Sequence, residues 1–234
     1  MCNVLFEIKK IKGIGLLAGM FILTVAVVWF MGYAGYVEDH IAPNVVHITA
    51  LSIFSEMLLP IFLSAIVIRN YSIEKKEDGF VNCIVKGIPV RKIYNAKLIA
   101  SYLLGCLFTG IAFVVAAVFV WMKGQNPLVI YLVDYQIIVL FVMGIVSVVN
   151  ITYIISLLTG NGLISGIVAI VATIFESFTN YTGIQFINPW GFFEAALFYR
   201  GLGIMKELLM LAVTILSTLF VISVMRKNEK NILK

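Results

Sequence analysis

The stretch VVHITALSIFSEMLLPIFLSAIVI, Val45 to Ile68, runs for twenty-four residues with a single carboxylate, Glu56, in its middle. Its apolar residues are continuous rather than alternating. A helix needs about 20 residues to cross a hydrocarbon core of roughly 30 Å, and lipid admits no other spanning form except a closed barrel. The stretch therefore reads as a membrane-crossing helix. Working outward, five further runs read the same way: Ile14 to Tyr36, Leu98 to Met122, Tyr135 to Leu158, Gly162 to Phe178 and Leu208 to Met225. The run from Gly162 is the shortest and carries Glu176 near its end. The expected fold is an all-α polytopic membrane protein, one transmembrane domain over residues 1–234 with six transmembrane helices.

Composition agrees. The chain is 62% hydrophobic and 12% charged, with a mean hydropathy of +1.05. In a soluble globular domain about a quarter of residues are charged. Cys2, Cys83 and Cys106 are too few and too scattered for a disulfide framework or a C-x-x-C metal site. The opening MCNVLFEIKKIKGIG puts basic residues ahead of an apolar run longer than a secretory h-region, with no small-residue cleavage pattern after it. The first span is expected to be retained.

Basic residues beside spans stay on the cytoplasmic side. Lys9, Lys10 and Lys12, then Arg69, Lys75, Lys76, Lys86, Arg91, Lys92 and Lys97, then Arg226, Lys227, Lys230 and Lys234 make fourteen of the seventeen. Only Lys123, Arg200 and Lys206 fall on the other face. Both termini are expected inside. The net charge of +5 then follows from topology and from attraction to anionic inner-leaflet lipid, not from nucleic-acid binding, which needs a basic face on a soluble domain.

The longest inner connector, residues 69–97, holds ten charged residues in twenty-nine. Within it Ile73, Phe80, Val81, Ile84, Val85 and Ile88 recur at spacings near three and four, an amphipathic helix pattern that Pro89 interrupts before a second helix runs into span three. One reading is a helix lying on the headgroups. Glu74, Glu77 and Asp78 oppose it, because three acids beside an anionic leaflet are unfavourable, and a mixed-charge face suits a protein partner.

The elements Arg69, Glu74, Glu77, Gly79, Pro89, Lys92, Tyr94, Ala96 and Lys97, the last five in a P-x-x-K-x-Y-x-A-K run, resemble the region after the second span of ABC-2 type transport permeases. The INPWGFF run is similar to the permeases of lantibiotic-immunity and bacitracin-type peptide exporters. This resemblance implies an exporter of the bacterial plasma membrane that expels an amphipathic peptide, as protection against a peptide antibiotic, or a lipid-like substrate. It implies a coupling helix seated in an ATP-hydrolysing partner, with Arg69, Glu74, Glu77, Gly79 and Phe80 as docking positions. An amphipathic N-terminal helix with Phe6, Glu7 and Lys10 would lie beside it. It further implies two such ATPase subunits, holding ATP and Mg, a second permease chain, identical or related, and a short re-entrant segment over residues 179–204 on the outer face, with Pro189, Trp190 and Gly191 as a gate.

Other features bear on rival classes. The chain has no G-x-x-x-x-G-K-[ST], and the dipeptide Gly-Lys never occurs, so hydrolysis is expected in another polypeptide and no cofactor in this one. No catalytic residue is assigned: the nearest string to the G-x-S-G of intramembrane serine proteases is GLISG, where Leu163 stands at the required glycine. His40 and His47 with Glu38 and Asp39 offer a metal site only as a pair seven apart, a spacing more often simply solvated, and no metal is expected. Glu56 lies at mid-span, where an ionised carboxylate costs roughly 3 kcal/mol or more unless paired or hydrated. It either lines a substrate path and attracts a cationic peptide, or is protonated and hydrogen-bonded to a neighbouring helix through Ser55 or Thr109. Such a charge also admits a secondary transporter, and a structural or regulatory membrane subunit would keep the same topology. Phe186, Trp190, Phe192, Phe193, Phe198 and Tyr199 suit a headgroup interface. Gly162 and Gly166 have the small-xxx-small spacing of a close helix approach, either a dimer seam or a contact inside the bundle.

Overall fold

The computed structural model describes residues 15–38, 42–76, 89–128, 130, 135–179, 186–198 and 203–232, and the structured elements among them are helical, with no strand. Helix α1 is Leu16–Val37. Helix α2, Pro43–Ile53, starts with proline at a position whose N–H has no intrahelical partner anyway. It continues through one π turn, Phe54–Leu58, into α3, Leu59–Lys76. Pro89 then stands just ahead of α4, Val90–Met122, whose 33 residues give a rod of about 50 Å. Helix α5 is Tyr135–Thr159 and α6 is Gly162–Thr179. Their connection needs only two residues because Gly160 takes a left-handed φ of 62° and the Asn161 side chain accepts from the Leu163 N–H at 3.0 Å, capping α6. A 3-10 turn, Pro189–Gly191, leads into the short α7, Phe192–Phe198, and α8 is Ile204–Ile232.

Among the described residues, five helices are long and apolar enough to cross a membrane: Leu16–Val37, Val45–Ser72, Arg91–Met122, Tyr135–Thr159 and Ile204–Glu229. The other expected span is helical too, but its apolar stretch is only Gly162–Glu176. Fifteen residues reach about 22 Å, short of the roughly 30 Å of a hydrocarbon core. The third and last helices begin earlier than their apolar runs, at Val90 and Ile204, because Arg91, Lys92 and Asn95 in the one and Lys206 in the other continue the helix on its exposed side. Expected elements at residues 1–14, 77–88, 180–185 and 199–202, including the docking positions Glu77, Gly79 and Phe80, lie outside the described residues, as does the side chain of Glu74.

Helix α5 is the centre of the bundle. Of its apolar stretch 72% is buried, against 22% in α1 and 28% in α8. It packs on α8, α3, α7, α6 and α4, while α1 leans on α2 and α4 at the periphery. The seams round α5 are polar. Asn150 Nδ2 donates to Ser217 Oγ at 3.2 Å and Thr218 Oγ1 at 3.0 Å, its Oδ1 accepts from the Tyr102 hydroxyl, and Ser147 Oγ donates to Thr214 Oγ1 at 3.0 Å. Ser156 Oγ donates to Ser165 Oγ at 2.7 Å. Among hydrocarbon chains such bonds, near 0.6 kcal/mol each, fix helix register where apolar contact alone is no better than contact with lipid.

Cross-links identify the two ends. Lys123 Nζ donates to the Glu38 carbonyl at 3.0 Å and Gln136 Nε2 to Glu207 Oε1 at 2.8 Å, which gathers the α1–α2, α4–α5 and α8 starts at one end. At the other, Lys97 Nζ donates to the Asn70 carbonyl at 2.9 Å and Asn228 Nδ2 to the Leu157 carbonyl at 3.4 Å. Arg69, Arg91, Lys92, Lys97, Arg226 and Lys227 all belong to this second, basic end.

Candidate functional site

Two places concentrate polar groups at variance with an apolar bundle. The first is acidic. The π turn carries Glu56, half-buried, and contacts α7 along with α1 and α6. Helix α6 brings Glu176, 4% exposed, where Asn188 Nδ2 donates to its Oε2. Asn188 Oδ1 in turn accepts from the Trp190 N–H at 3.4 Å and caps the 3-10 turn. Glu194, on α7, is 7% exposed and its Oε2 has no partner among the described residues. Burial, and after it the charges of Glu56 and Glu176, push the Glu194 carboxyl up to about 7. Glu194 is thus within electrostatic reach of carboxyls on two other elements. Such a group attracts cations. Among the described residues no three His, Cys, Asp or Glu side chains lie close enough to hold a metal ion.

The gate residues expected on the outer face are packed into the protein. Pro189, Trp190 and Gly191 are buried, and so are Phe186, Phe192 and Phe193, although these rings were expected at a headgroup interface; only Phe198 is exposed, and Tyr199 lies outside the described residues. The reason is a glycine. A Cβ on Gly144 of α5 would stand 2.6 Å from Phe193 Cε1, so the ring rests on bare backbone at the bundle centre. His47 departs from the solvated position expected of it: it is fully buried in α2 and stacks on Phe113 at 5.8 Å. Of its candidate metal partners, His40 and Asp39 lie outside the described residues.

The second place is the basic end. Lys97 is 1% exposed, with its amine on the Asn70 carbonyl; Asn70 Nδ2 donates to Ser101 Oγ at 3.0 Å, and Ser101 Oγ to the Lys97 carbonyl at 2.9 Å. This closed circuit ties α3 to α4 on either side of the 77–88 connector. Arg69, one turn of α3 above Ile73, has its Nε buried with no hydrogen-bond partner among the described residues. Gly162 and Gly166 face the same helix: a Cβ there would meet Ile68 Cγ2 at 3.1 Å and Ile68 Cδ1 at 2.8 Å, so the close approach that these glycines permit is made between α6 and α3 of one chain.

Sequence reasoning placed Glu56 at depth but did not join it to Glu176 and Glu194. The available signal was three carboxyls, each set in an apolar run, two of them bracketing Asn188. Neither Ser55 nor Thr109 serves Glu56: Ser55 Oγ donates to the Ser52 carbonyl at 2.8 Å, and Thr109 Oγ1 has no partner among the described residues. No family model, curated protein or solved structure matches this chain.

Proposed function

We propose that this chain is the membrane-spanning subunit of an ATP-driven exporter of the ABC-2 type, and that it moves an amphipathic, cationic peptide or a lipid-like molecule outward. The observation that carries the reading is the frame around the inner connector: α3 and α4 are bound to each other by Lys97 and Asn70 where the connector leaves and re-enters the bundle. A push on the connector would reach two long helices as one body. Those helices pack on α5, and α5 carries Gly144 beneath Phe193, so the mechanical route runs on to α7 and the acidic group. In this reading the ATPase subunits, with ATP and Mg, supply the force; this chain contributes the path, and Glu56, Glu176 and Glu194 attract the positive charge of the substrate. Arg69, Glu74, Glu77, Gly79 and Phe80 form or flank the docking surface, and a second permease chain completes the complex.

The test is co-purification. Tagged chain should bring down an ATPase from its native membrane, and the double reversal Glu74→Lys/Glu77→Lys should weaken that association by about tenfold, the equivalent of 1.4 kcal/mol. Unchanged association with the double variant would remove the docking assignment.

The acidic group favours one second reading, cation-coupled secondary transport, since carboxyls buried in a membrane protein are the usual elements of a proton relay. Uptake into vesicles driven by a pH gradient in the absence of nucleotide would select it.

A further inference from the structure

A cavity of about 550 Å³ lies at the basic end between the last turns of α3, the first turn of α1 and the α5–α6 turn. Leu16, Ala65 and Leu163 are among its apolar lining residues, and Arg69, Ser72 and Asn161 among its polar ones. Arg69 lines the space, and its Nε is buried without a partner among the described residues. The guanidinium fork of an arginine is the complement of a phosphate or carboxylate. Ser72 Oγ stands 3.1 Å from where a Gly162 side chain would begin, so it sits against the first residue of α6. That helix has 18 residues, and the positive end of its dipole adds to the charge of Arg69 at this spot. Any side chain on Gly162 would press into Ser72 and Ile68, so the backbone itself forms this wall.

We propose that this cavity binds the phosphate of an anionic membrane lipid, with Arg69 as its principal ligand, Ser72 as a second donor, and the first acyl carbons laid along Leu16, Ala65 and Leu163. A headgroup with an attached chain suits a lining that holds both polar and apolar residues; a free anion would use only the polar ones. Basic pockets between membrane helices on the cytoplasmic side take up phospholipid headgroups in this manner, and the excess of Lys and Arg at this end raises the local concentration of such lipid. The inference is independent of the ATP-driven reading and gives Arg69 a role other than docking.

The test uses the full chain in detergent. Mixed micelles containing phosphatidylglycerol should raise its thermal unfolding midpoint and leave bound lipid in native mass spectra, in preference to phosphatidylcholine by about fivefold to tenfold. Inorganic phosphate in their place should do neither. Arg69→Gln should abolish the preference and Arg69→Lys retain part of it, since an ammonium keeps the charge but not the fork. Equal retention of both lipids by the wild-type chain, a measurement that needs no variant to fold, would overturn the proposal. So would Arg69-dependent stabilisation by phosphate alone, which would identify a soluble phosphate as the ligand. Normal lipid preference in Arg69→Gln together with lost ATPase association would instead return Arg69 to a protein interface.

Discussion

Lys97 carries an ammonium group into a position only 1% exposed, next to a bundle made of hydrocarbon. Read in sequence it is one more basic residue at the inner end of a span, and basic residues there usually extend their heads to water. Folding turns it inward instead, because the Asn70 carbonyl of α3 offers it an acceptor at 2.9 Å. No pattern of spacing distinguishes these two fates. Glu194 is the opposite case, a carboxyl that folding holds in its neutral form. Its folded value of about 7 exceeds the ordinary 4.5, so between these limits the folded chain binds more protons than the unfolded one and stability must fall as pH rises. The slope contributed by this group is at most about 1.4 kcal/mol per pH unit. Thermal unfolding in detergent should show the midpoint dropping from pH 4.5 to 7, with a shallower drop in Glu194→Gln. Parallel curves for the two proteins would show that the carboxyl has no such part.

At the scale of elements, the membrane helices were legible because lipid imposes a length and a continuous hydrophobicity that no other structure satisfies. What hydropathy does not tell is which apolar medium covers a residue. Phe192 and Phe193 leave water in either case; hydrocarbon chains and the flank of α5 are equally apolar, so an interface belt and an internal plug look alike in sequence. The Gly162 and Gly166 pair has the same ambiguity, since spacing announces a close approach and is silent on whose helix approaches. The contact that settles the plug can be broken alone. In Gly144→Ala a new methyl would meet three atoms of the Phe193 ring at 2.6–3.0 Å, and the overpacking should cost about 1–3 kcal/mol. Adding Phe193→Leu should recover part of the loss. If Gly144→Ala unfolds at the wild-type temperature, α7 does not rest on this glycine.

For the whole molecule, the division of charge between the two ends gives a testable orientation. Lys123 and Lys206 lie at one end, and Arg69, Arg91, Lys92, Lys97, Arg226 and Lys227 at the other. With Cys2, Cys83 and Cys106 replaced by Ser, a single Lys92→Cys should react with a membrane-impermeant maleimide in inverted vesicles but not in intact cells. Lys123→Cys should show the reverse. Labelling of both from the same side would break the antiparallel arrangement that the Lys123–Glu38 and Lys97–Asn70 bonds describe.

The π turn at Phe54–Leu58 holds one residue more than a regular helical turn would use. Each residue of an α-helix advances the azimuth by about 100°, so the surplus is what lets α2 keep His47 against α4 while α3 keeps Ser64 toward α5. Loss of one codon between Phe54 and Leu58 would therefore be absorbed as an ordinary turn, with both halves still meeting their neighbours. The same loss elsewhere between Val45 and Ser72 would spin one half of the rod out of phase with the rest, so a deletion scan of this helix should show a single narrow island of survivors.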